Sequence, residues 1–90
     1  MPRAIVDPEE LRRFAHDLKR FNTELHGQLS ALHGRLLELG QTWRDQEQKK
    51  FSEEFEKTIK VLTRFVQASD HHIPFLLRKA ERIDEYLQQR

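Results

Sequence analysis

Leu36-Leu37-Glu38-Leu39-Gly40-Gln41-Thr42-Trp43-Arg44-Asp45-Gln46-Glu47 is where one apolar periodicity stops and a second is about to begin. Gly40 follows the last residue of the first pattern, as a helix stop does. Thr42 and Asp45 are both suited to cap a following helix, each with a matching residue three positions on, Asp45 and Gln48 respectively. Positions 40–45 therefore read as a turn between two helices.

Upstream of the turn, apolar side chains fall at Leu11, Phe14, Leu18, Phe21, Leu25, Leu29, Leu32, Leu36 and Leu39, in steps of three and four. That spacing is helical and close to coiled-coil periodicity. The start is marked by Asp7-Pro8-Glu9-Glu10: an acid at the N-cap, proline at the first helical position and glutamate at N3. Both glutamates also sit where the helix dipole favours negative charge. The pattern predicts a helix over 8–39, a rod of roughly 48 Å.

Downstream, Phe51, Phe55, Ile59, Leu62, Val66, Ser69, Ile73, Leu76, Ala80, Ile83 and Leu87 repeat the same steps and predict a helix over 46–88. Pro74 removes a hydrogen bond to the Asp70 carbonyl and crowds that turn. Because the stripe keeps its phase across the proline, a kink is the expectation; a full break capped by Ser69 or Asp70 is the alternative. The fold expected is all-α: an antiparallel two-helix hairpin forming a single domain, 1–90.

Val61 and Phe65 widen the second stripe on one flank and Leu77 on the other. The resulting arc is roughly 160°, against about 100° for a helix packed on one neighbour. Leaving such side chains wet forgoes about 1.5–3 kcal/mol each. The second helix therefore needs another companion, and two hairpins packed as a four-helix-bundle dimer supply it. On the first helix Gly27, Ala31 and Gly34 lie within about 60° of one another, opposite its apolar stripe. They read either as tolerated surface positions or as a small-residue face that lets a partner backbone approach.

Composition narrows the function. Sixteen Lys and Arg oppose fifteen Asp and Glu, for a net charge of +1, which gives no general basic surface for nucleic acid. The basic candidates are Arg12, Arg13, Lys19 and Arg20 with Arg78, Lys79 and Arg82. The chain has no cysteine, so disulfides and thiolate metal sites are excluded. No apolar run approaches the roughly 20 residues of a membrane helix, and Met1–Asp7 lacks the apolar core of a Sec signal peptide.

His16, His26 and His33 are spaced by ten and seven residues, and the adjacent His71 and His72 point about 100° apart, so no local chelate forms. His72 lies on the flank of the second stripe, where its protonation would loosen packing against a partner helix. A dimer constant flat between about pH 5.5 and 8 would remove that reading. The hydroxyls of Thr23, Ser30, Thr42, Ser52, Thr58, Thr63 and Ser69 are scattered, with neither a nucleophile elbow nor a phosphate loop. Glu47, Glu53, Glu54 and Glu56 with Lys49, Lys50, Lys57 and Lys60 form a solvated charged face. Neither an enzyme nor a cofactor is expected.

Trp43 in the turn, the aromatic Phe51 eight positions on, two long helices and a length near a hundred resemble the WXG helical-hairpin superfamily. These are the early-secreted-antigen-like proteins of type VII secretion, and the likeness in layout covers the whole chain. Their turn motif is Trp-Xaa-Gly; here it reads Trp43-Arg44-Asp45. Aspartate tolerates left-handed backbone and caps helices, so the turn survives the exchange.

The resemblance implies a dimeric substrate, partner or carrier of a type VII-like system. Its partner would be a second copy or a paralogous hairpin, with the secretion ATPase as a further partner. It also implies export without a Sec signal, the chain residing in the cytoplasm beforehand. The family's export signal, a tyrosine followed four residues on by an acid, is degenerate in Tyr86-Leu87-Gln88-Gln89-Arg90, which keeps only the tyrosine. An intracellular adaptor or chaperone-like hairpin covering a partner's amphipathic helix is the alternative function. A nucleic-acid-binding helical domain is a further one.

Overall fold

The computed structural model describes residues 6–89. Met1–Ile5, and Arg90 of the degenerate tail motif, lie outside the described residues. Two helices make up the regular structure, α1 (Pro8–Leu39) and α2 (Gln46–Gln88), and no strand occurs among the described residues.

Both helices start on an aspartate. Asp7 Oδ1 accepts the Glu9 N–H at 2.9 Å, and the Asp7 carbonyl takes the Leu11 N–H at 3.0 Å. Asp45 Oδ1 accepts the Gln48 N–H at 2.9 Å, so of the two candidate caps for α2 it is Asp45 that serves. Thr42 instead turns back on the end of α1, its N–H donating to the Leu39 carbonyl at 3.1 Å. Trp43 N–H donates to the same oxygen at 2.9 Å, so the turn closes on the last carbonyls of α1.

Neither Gly40 nor Asp45 adopts a left-handed backbone. At Gly40 the benefit is room: a Cβ there would lie 3.3 Å from the Leu37 carbonyl oxygen and 3.6 Å from Gln48 Nε2. At Asp45 only the capping half of the expectation is used. Pro74 lies inside α2, which runs through it without interruption, so the proline does not divide the helix.

Two compact units are built from these helices, Met1–Asn22 with Ala68–Arg90 and Thr23–Gln67. In the terminal unit α1 and α2 run antiparallel, with Arg12 bonded to Asp84 and Asn22 Nδ2 donating to Asp70 Oδ1 at 3.0 Å. Its seam is lined by Ala15, Ala80 and Ile73, with the polar Asn22 and Ser69 also buried. In the turn unit Leu36 and Val66 are buried, flanked by half-buried Leu25, Leu29, Phe55, Ile59 and Leu62.

One part of the expected stripe is displaced. Phe14 and Phe21 are 57% and 51% exposed, and Ala15 and Asn22, one residue on, take the seam positions instead. Two helices in close contact leave little room between their axes, so small side chains fill the seam and the phenyl rings stand on its flank.

Candidate partner-binding surface

The turn motif is assembled by stacking. The Trp43 and Phe51 ring centroids are 5.9 Å apart at 37°, and Phe51 and Phe55 follow at 5.6 Å and 22°. These are ordinary geometries for attractive aromatic pairs. Trp43 is half-buried, Asp45 caps α2, and Phe51 keeps 46% of its surface exposed. Beside this ladder in the turn unit is an apolar groove of ≈ 220 Å³, lined by Leu32, Leu36, Leu39, Phe51, Phe55 and Arg35.

The flank of α2 is open. Val61 is 60% exposed and Phe65 48%. Leu77, on the opposite flank, is half-buried within the terminal unit. On α1, Gly27, Ala31 and Gly34 are exposed, and a Cβ added at either glycine meets nothing within 4 Å. No close packing inside the chain requires glycine there.

The terminal unit adds Phe75, which the apolar spacing did not single out. A shallow groove of ≈ 500 Å³ on α2 is lined by Phe75, Lys79, Arg82, Ile83 and Tyr86. Phe75 is half exposed, as is Tyr86. The signal for Phe75 was its distance of fourteen residues, two heptads, from Val61.

Several charged side chains form surface pairs. Arg12 bridges Glu9 and Asp84, and the Asp84 hydrogen bond raises its already high pKa against an opposing desolvation. Arg20 pairs with Asp17 at 3.4 Å, so part of the basic cluster on α1 is already neutralised. His33 Nε2 lies 3.1 Å from Glu56 Oε2. Among the described residues no group of three His, Asp or Glu is placed to hold a metal, and no helix is long and apolar enough to cross a membrane.

Both helices are capped on an aspartate, their seams are mainly apolar, and large apolar side chains stand exposed on their flanks. A family model described as proteins of 100 residues with WXG matches residues 4–86, and the chain belongs to this WXG100 family. The family comprises small, non-enzymatic helical proteins associated with type VII secretion. The chain has no match among curated proteins or among solved structures.

Proposed function

We propose that this chain is a dimeric substrate or partner of a type VII-like secretion system and acts through helix–helix binding, without catalysis. The observation that carries this reading is the apolar flank of α2, where Val61 and Phe65 stand exposed in a helix whose seam with α1 is already filled. Covering such side chains is worth about 1.5–3 kcal/mol each, and exposed apolar patches mark interaction sites. A second hairpin laid on this flank completes a four-helix bundle. Leu77, on the other flank, offers its uncovered part to a separate contact, and Tyr86 is what remains of a degenerate export signal, so that a partner carries the complete one.

Light scattering of the purified chain at tens of micromolar tests the assembly. A dimer is expected, and Phe65→Lys with Val61→Lys should leave a folded monomer. A well-folded monomer of the unaltered chain would end this reading. Export is tested in the native host by immunoblotting culture supernatant with and without the secretion ATPase; equal amounts in both would separate the chain from that pathway.

The row Gly27, Ala31 and Gly34 belongs to the same reading as a second contact. Gly34→Leu is then expected to weaken dimerisation in sedimentation. An unchanged dimer would assign the row to solvent.

A further inference from the structure

Within the turn unit, α2 carries Lys49, Lys50, Glu53, Lys57, Lys60 and Arg64, and every one of them is exposed. By helical geometry the six fall within an arc of roughly 100° and form a row roughly 22 Å long. Five cations thus share one narrow face with a single acid. The other acids of this stretch lie elsewhere. Glu47 and Glu54 are outside the arc, and Glu56 is turned to α1, its Oε2 lying 3.1 Å from His33 Nε2. Among the described residues none of the five cations forms an ion pair. The centre of the row is about 90° round the helix from the flank of Val61 and Phe65, so the two faces are separate.

We propose that this face docks an acidic helix of a different protein. Its carboxylates lie opposite Lys49, Lys57, Lys60 and Arg64, and a lysine or arginine lies opposite Glu53. Charge complementarity names this partner. From 49 to 64 the row advances by four, four, three and four residues, steps that a second helix repeats at the same rise. Exposed ion pairs are worth little singly, so recognition comes from the row acting together. The contact is correspondingly sensitive to salt.

Glu53 decides against the other polyanions. It stands inside the row, with Lys49 four residues before it and Lys57 four after. A nucleic-acid backbone or an anionic bilayer offers negative charge at every point, so either sets like charge against Glu53. A helix places one cation there and acids on both sides of it. The face is therefore patterned for protein.

The probe is an alanine-rich helical peptide with glutamates at the four matching positions and lysine opposite Glu53, added to the full chain at low salt. Fluorescence anisotropy reads its binding. The comparison is a peptide of the same composition whose lysine has changed places with a terminal glutamate. The patterned peptide should bind about tenfold more tightly, and its binding should fade as salt is raised. Glu53→Lys should weaken that peptide while strengthening the binding of duplex DNA and of phosphatidylglycerol vesicles. Lys57→Glu with Arg64→Glu should abolish peptide binding, and the milder Lys57→Gln with Arg64→Gln should reduce it. Circular dichroism confirms that the helices persist in each variant, and light scattering that self-association is unchanged.

Equal binding of the two peptides would overturn the proposal, because the row would then read charge and not pattern. Tighter binding of the unaltered chain to duplex DNA or to the vesicles would put that polyanion in place of the acidic helix. A charge-reversed chain that no longer self-associates would assign the row to the contact between copies and overturn the proposal as well. The face and its test do not depend on the dimer reading, and a monomeric chain leaves both in place.

Discussion

Asn22 is 1% exposed in the seam of the terminal unit; its Nδ2 reaches Asp70, but its Oδ1 has no partner. A buried carbonyl without a donor costs free energy, whereas Asp70 is exposed and keeps its water. Asn22→Ala, which removes the unpaired oxygen without enlarging the side chain, is therefore expected to leave stability unchanged or raise it by up to about 1 kcal/mol in urea unfolding. Paired with Asp70 across the seam, Asn22 is placed as polar seam residues that fix register in coiled coils are placed. At the turn, Asp45→Ala should lose about 1 kcal/mol in thermal unfolding while Asp45→Gly loses only a few tenths, since glycine is a tolerable N-cap. A loss at Asp45→Gly as large as at Asp45→Ala would mean that the aspartate does more than cap.

Both ends of the connection between α1 and α2 were legible at the scale of the element. Asp7-Pro8, Gly40 and Asp45 mark boundaries by local chemistry that needs no tertiary contact. The proline was less legible, because spacing shows that the apolar stripe keeps phase but not whether the backbone holds together. In α2 it does, with packing on α1 on both sides of Pro74 offsetting the missing donor. Pro74→Ala restores a hydrogen bond to the Asp70 carbonyl and should raise stability by about 1–3 kcal/mol, read from the denaturant midpoint. A destabilised variant would show that the proline has a packing role on its own face.

For the whole molecule, the proposed burial of the α2 flank between two copies would link folding to association. The thermal midpoint should then rise with protein concentration, by mass action. A midpoint constant over a hundredfold range of concentration would place the stability within one chain. Calorimetry at two concentrations suffices to tell these apart.

The spacing of Leu11, Leu18, Leu25, Leu36, Val66 and Ile73 determined by itself that the chain is two helices, and the layout around Trp43 pointed to the family that the match over residues 4–86 shows. Helical periodicity and capping are local, so one dimension suffices to read them. Only the tertiary structure decided which of two adjacent candidates fills the seam. Phe14 against Ala15 and Phe21 against Asn22 differ by one residue, about 100° on the helix, and hydrophobicity alone favours the phenylalanine each time. In the fold the smaller side chain of each pair takes the seam and the phenyl rings stand exposed on its flank. How closely two surfaces can approach belongs to neither helix alone.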